Sequence, residues 1–221
     1  MCTVTWLREA GGYQLFCNRD ELRSRGIATP PALTWAGDVR YLAPRDADHG
    51  GTWVAVNQFG LTVCLLNATK RGESGSASRS RGLLLPDLMP CRSTLEVAAA
   101  LQPIRLEAYA PFTLVTLDPT GACLAGAWDG ATVSVSPSST SVGLLSSSSL
   151  DAEGAREVRA SLLARLSGEA GVVSGATLQA FHESHGECAS AHTPCMHRAD
   201  AVTVSFTRIA VTPGRIRHSL R

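Results

Sequence analysis

The residue best placed to do chemistry in this 221-residue chain is Cys2, directly behind Met1. Methionine aminopeptidases remove Met1 before small side chains, so Cys2 is expected to carry a thiol and a free α-amine together. An α-amine titrates near pH ~7.7–8.0, against ~10.4 for a lysine amine. It can be neutral at working pH and accept the thiol proton, directly or through a water, so one residue supplies nucleophile and base. Position alone is a weak signal, because many proteins carry cysteine there. The run Asn18-Arg19-Asp20-Glu21 strengthens it. Asp20 can accept a hydrogen bond from the α-ammonium, and Arg19 can favour a thiolate. A charged turn after a strand is the plain alternative for the same four residues.

Those groups meet only if the chain starts as a hairpin. Two strand-like runs, Cys2–Leu7 and Tyr13–Cys17, flank Gly11-Gly12, which predicts one. Its far end would lay Arg19 and Asp20 beside Cys2. The stretch from Arg19 to about Gly51 is polar, and Pro30, Pro31 and Pro44 argue against long regular elements there. Strands are predicted at Thr52–Val56, Leu61–Leu66, Phe112–Leu117, Ala122–Trp128, Thr132–Val135, Val142–Leu145, Ala201–Ile209 and Arg215–His218. Ser93-x-x-Glu96 reads as a capping box opening a helix that Pro103 stops. A second helix is predicted over Asp151–Leu166, with Ala155, Val158, Leu162 and Leu166 on one stripe, and a shorter one near Ala176–Glu183. Residues 70–81 read as a Gly/Ser/Arg-rich surface loop. Without regular β–α alternation, the order predicts one α+β domain over 1–221, with antiparallel sheets and helices outside.

The sequence resembles the NRDE family, also called the transport and Golgi organisation family, on Met1-Cys2 and Asn18-Arg19-Asp20-Glu21. Further matches are Pro30-Pro31-x-x-x-Trp35, Ala43-Pro44-Arg45-Asp46, Gly50-Gly51-Thr52-Trp53, Val56-Asn57, Gly60-Leu61 and Leu66-Asn67. The likeness is dense over residues 1–70 and returns at 146–151 and 196–204. It implies the four-layer αββα sandwich of N-terminal nucleophile hydrolases and a kinship with bile-salt hydrolases and penicillin V acylases. On that resemblance Cys2 attacks an amide carbonyl, Asp20 anchors its amine and Arg19 is the neighbouring cation. Asn67 donates to the oxyanion, Arg198 completes the centre, and Asn18 contributes to binding. A later asparagine of the family pattern falls at Ser147, whose hydroxyl is shorter than an amide and donates one hydrogen bond. This places the second polar contact to substrate in question.

Weaker signals complete the reading. His182, His185, Cys188, His192, Cys195 and His197 suit zinc by type, but their spacing matches no common finger and HESH is not HExxH. A polar loop near the site mouth is the expectation, and no cofactor or metal is assigned. Trp53 either lines a substrate pocket or fills the core. Gly50-Gly51 lacks the following helix and Lys-Ser/Thr of a phosphate loop. Net charge is +1, from 20 Lys+Arg and 19 Asp+Glu, which gives nucleic acid and anionic membranes no field to bind. No apolar run spans a bilayer, no secretory signal is visible, and seven scattered cysteines without CxxC pairing suggest reduced thiols in the cytoplasm. The leading expectation is an amidohydrolase acting on a small-molecule linear amide. The rival, suggested by the roles of eukaryotic relatives, is a non-catalytic carrier of a hydrophobic ligand such as haem or an acyl lipid.

Overall fold

The computed structural model describes residues 2–68, 78–148, 150–169 and 171–221, so most of the Gly/Ser/Arg-rich stretch, with Lys70, lies outside them. The chain opens with β1 (Cys2–Glu9) and β2 (Gly12–Leu22), joined through Gly11 at φ +79°. Only glycine adopts that conformation without strain. Gly12 is fixed by space: a Cβ there would lie 2.0 Å from the Val211 carbonyl oxygen.

This hairpin is the centre of a five-stranded antiparallel sheet. Its order is β10 (Val142–Ser146), β1, β2, β11 (Ala201–Thr212), β12 (Arg215–Leu220). The second sheet runs in chain order and is also antiparallel: β3 (Thr29–Ala36), β4 (Val39–Arg45), β5 (Val54–Asn57), β6 (Thr62–Asn67), β7 (Phe112–Leu117), β8 (Cys123–Trp128) and β9 (Val133–Pro137).

Strand alternation distributes the apolar side chains over three interfaces. Between the sheets, Val4, Trp6, Leu15 and Cys17 meet Val56, Cys64, Leu66 and Val115. On the outer face of the seven-stranded sheet, Ala55, Val63 and Leu65 pack on α1 (Leu84–Leu88) and α2 (Thr94–Leu101). Outside the five-stranded sheet, Leu7 and Phe16 pack on Leu178 of α4 (Gly175–Glu183), beside α3 (Ala152–Ser167). Each buried Leu or Phe contributes roughly 1.5–3 kcal/mol. The result is the αββα sandwich that the sequence implied.

Three differences from the sequence reading have physical causes. Residues 29–45 form two strands despite their prolines. β3 is an edge strand, where a missing N–H costs no ladder bond, and its register shifts between Thr29 and Ala32, around Pro30 and Pro31. α1, on Leu-Leu-Pro-Asp-Leu, escaped notice because five residues carry no helical period. The buried stripe of α3 is Ala155, Arg159 and Leu162, while Val158 and Leu166 are exposed. An arginine inside an apolar stripe reads as solvated until its partners are visible. The Ser93 cap does form, accepting from the Glu96 amide at 3.2 Å.

Candidate active site

The hairpin register sets Cys2 directly opposite Arg19. Paired residues point to one face of a sheet, so Cys2 and Arg19 face the seven-stranded sheet together. Alternation then divides the Asn-Arg-Asp-Glu run. Arg19 and Glu21 line a cleft of about 530 Å³ together with Cys2, while Asn18 and Asp20 turn toward the helices. Trp53, Asn67 and Arg81 border the same cleft.

Both backbone groups of Cys2 are held by one residue. Its nitrogen donates to Ser147 Oγ at 3.0 Å, and the Ser147 amide donates to its carbonyl at 2.9 Å. Ser147 is absent from the cleft wall. It holds the backbone nitrogen of Cys2, whereas the sequence expectation set it against substrate. The Cys17 thiol donates to the Asn18 carbonyl at 3.7 Å, and the buried Cys2 thiol is hydrogen-bonded to Cys17. That bond and burial push the thiol well above its ordinary value.

Arg19, opposite Cys2, is paired with other partners. Its Nη2 lies 2.5 Å from Asp46 Oδ2 and 3.3 Å from Glu21, and its guanidinium sits 4.5 Å over the Trp53 ring. Arg25 reaches the same Asp46 oxygen at 2.6 Å. Burial pushes the Asp46 carboxyl up, but the His49 amide and the two arginines outweigh it and hold it below the usual carboxylate range. Trp53 combines both readings offered for it: it is buried, it lines the cleft, and its indole N–H has no partner among the described residues.

On the opposite side of the same strand, Asn18 donates to the carbonyls of His182 and Pro194 at 2.8 and 2.9 Å. It ties the strand to α4 and to the segment before β11. The sequence expectation set it at the substrate, on the other face of the strand. Asp20 is fully buried, accepts from Thr203 Oγ1 at 2.6 Å, and lies 4.0 Å from Arg159 Nη2. Burial pushes its carboxyl up to about 6, against the pull of Thr203 and Arg159. Arg159 also donates to the carbonyls of His192 and Thr193, at 3.1 and 3.3 Å. It is the deeply placed cation that the sequence reading missed. Arg198, expected to complete the centre, makes a two-pronged pair with Asp200 at 2.8 and 2.5 Å and is not in the cleft wall.

Asn67 closes β6 at the cleft border, half-buried. Arg81, at the end of the stretch read as a surface loop, borders the cleft and donates to the Pro111 carbonyl at 2.9 Å. Burial lowers its pKa, and the Glu21 carboxylate opposes that lowering. Its signal in the sequence was masked by the polar loop preceding it.

Two antiparallel sheets between helical layers make a fold like that of the N-terminal nucleophile hydrolases. Solved structures share it at low identity. A C2A mutant of the conjugated bile acid hydrolase of Clostridium perfringens is 13% identical, covering 99% of this chain and 92% of that one, with a TM-score of 0.57. Penicillin V acylase of Agrobacterium tumefaciens is 10% identical over 100% and 85%, with a TM-score of 0.52. The Caenorhabditis elegans ortholog of N-acylethanolamine-hydrolyzing acid amidase is 13% identical over 97% and 94%, with a TM-score of 0.63. The comparison with curated proteins finds no match. The profile of the family described as Transport and Golgi organisation 2 matches residues 1–179, and the chain belongs to that family. Among the described residues, no helix is long and apolar enough to cross a membrane.

Proposed function

We propose that the chain is an amidohydrolase that cleaves a small linear amide through Cys2, exposed by removal of Met1. One observation carries this reading: Cys2 reaches the cleft with its nitrogen held by Ser147, while the Asn67 amide borders the same cleft. The thiol transfers its proton to the α-amine and the sulfur attacks the carbonyl carbon. Asn67 donates to the developing oxyanion, and one such donor is commonly worth about 10²–10³ in rate. Collapse breaks the C–N bond, the amine leaves with the proton, and a thioester remains on Cys2. Water then hydrolyses the thioester, giving a carboxylic acid and the free thiol. Arg79 and Arg81, on the cleft lining apart from the Arg19–Glu21–Arg25–Asp46 ion pairs, suit an amide that carries a carboxylate. All seven cysteines are free thiols, which supports action in a reducing compartment such as the cytoplasm.

The test is intact-mass analysis of the purified protein, followed by turnover of a panel of N-acyl amides and labelling with a thiol-directed electrophile. Met1 is expected to be absent, and Cys2→Ala is expected to lower turnover by about 10³ or more. Labelling and turnover unchanged by Cys2→Ala would sink the proposal.

A second reading rests on the buried, raised thiol of Cys2: a carrier that keeps the scaffold and holds a hydrophobic ligand such as haem or an acyl lipid. Saturable binding of either ligand, with no amide turned over, would select it.

A further inference from the structure

The segment between α4 and β11 carries five of the histidines and cysteines whose spacing fits no finger, and folding sorts them. His192 Nε2 lies 3.4 Å from Asp151 Oδ2, and Cys188 is exposed. His182, just ahead of them on α4, is buried against Phe16, Phe181 and Phe206 and bonds Thr5. His185, Cys195 and His197 converge. Their ligand atoms all lie within 4.8 Å of one another, and His197 Nε2 meets His185 Nδ1 at 2.9 Å.

We propose that His185, Cys195 and His197 bind one Zn²⁺, with a water in the fourth position. Two imidazoles and a thiolate are the donor set of borderline-soft first-row cations, and they disfavour Mg²⁺ and Ca²⁺. A tetrahedral zinc holds such ligand atoms about 3.3–3.6 Å apart, so small side-chain adjustments admit it. The backbone already fixes the donors: the Cys195 amide bonds the Ser184 carbonyl at 3.1 Å, and the His197 amide bonds the Ser190 carbonyl at 3.0 Å. A β-bridge joins His197 to Val202. A bare N–H···N bond between two imidazoles explains their approach but gives no reason for a thiol beside them. Binding releases the Cys195 proton to solvent and moves the shared imidazole proton to a ring nitrogen facing away from the metal.

The ion would fasten the segment that backs the first strands. His192 and Thr193 of this segment hold Arg159. The Met196 amide donates to Thr203 Oγ1 at 2.8 Å, and that hydroxyl donates to Asp20. The site lies outside the cleft and stands whether or not Cys2 cleaves amides.

The experiment titrates the chelator-treated full-length protein with Zn²⁺ and with Co²⁺. One equivalent is expected to bind, with a thiolate-to-cobalt charge-transfer band. His185→Ala, Cys195→Ser and His197→Ala are each expected to weaken binding by about a hundredfold or more, while Cys188→Ser leaves it unchanged. His185 is exposed, so its replacement keeps the fold intact. Zinc affinity of the unaltered protein weaker than roughly 10 µM, or unchanged in His185→Ala, overturns the site. So does an equal loss in Cys188→Ser.

Discussion

The two faces of β2 carry one four-residue run to different ends. Toward the seven-stranded sheet, Arg19 and Glu21 share a cleft with Cys2, among counter-charges open to a ligand. Toward the helices, Asn18 and Asp20 enter a closed network of Arg159, Thr203 and the carbonyls of residues 182 and 194. Adjacency in sequence therefore hides a division of labour that a two-residue period imposes. Substitutions on the helix side should act on stability, and those on the cleft side on turnover.

The sharpest way to break that division is Arg159→Met. It removes the Arg159 charge from beside the buried Asp20 carboxylate and the donor from the His192 and Thr193 carbonyls, an expected loss of about 3–5 kcal/mol in urea unfolding. A loss below about 1 kcal/mol would show the network to be slack. On the cleft side, Asn67→Ala is expected to lower kcat by about 10²–10³ and leave the unfolding midpoint nearly unchanged. Equal effects on both quantities would erase the contrast.

Asp20 supplies a pH signature. Its pKa in the folded chain, about 6, lies above the value of 3.8 for an exposed carboxyl. Its contribution to stability is thus complete below about pH 4 and is lost as pH rises through 6, by about 2–3 kcal/mol. Relative to Asp20→Asn, the unaltered protein should gain stability as pH falls from 7 to 4. A flat difference would place the carboxylate in a wetter setting than the helix face. His182, pushed down to about 3 by burial and then by Arg159, acts in the opposite sense, losing stability as pH falls below about 6.5. The comparison between variants isolates Asp20 from it. Smallest of the set, Asn18→Ala should cost about 2 kcal/mol by leaving two buried carbonyls unpaired, with kcat per folded molecule preserved. A fall in kcat without loss of stability would return Asn18 to the cleft.

Much of the architecture was legible because it is local. Gly11 marks the hairpin, Ser93 the cap, and the alternation of β6 sends Val63 and Leu65 to one layer and Cys64 and Leu66 to the other. Hairpin geometry brought Arg19 and Asp20 near Cys2, and the register sets Arg19 directly opposite it. What stayed hidden depends on contacts distant in sequence. Arg159 meets Asp20 across 139 positions, and nothing near either announces the other. Ser147 looked like a weakened substrate contact because the resemblance supplies a residue type, whereas its role as a clamp on Cys2 follows from the antiparallel pairing of β10 with β1. Arg198, by contrast, pairs with Asp200 only two positions away.

The prolines that concealed β3 have a consequence for self-association. The seven-stranded sheet ends at β3 on one side and β9 on the other, and both rims carry imino acids, Pro30 and Pro31 at one and Pro137 at the other. A rim lacking those N–H donors cannot template an incoming strand along its length. Leu33 and Trp35 stand exposed on β3, so the gaps in its ladder guard the molecule where its surface is most inviting to fibrils.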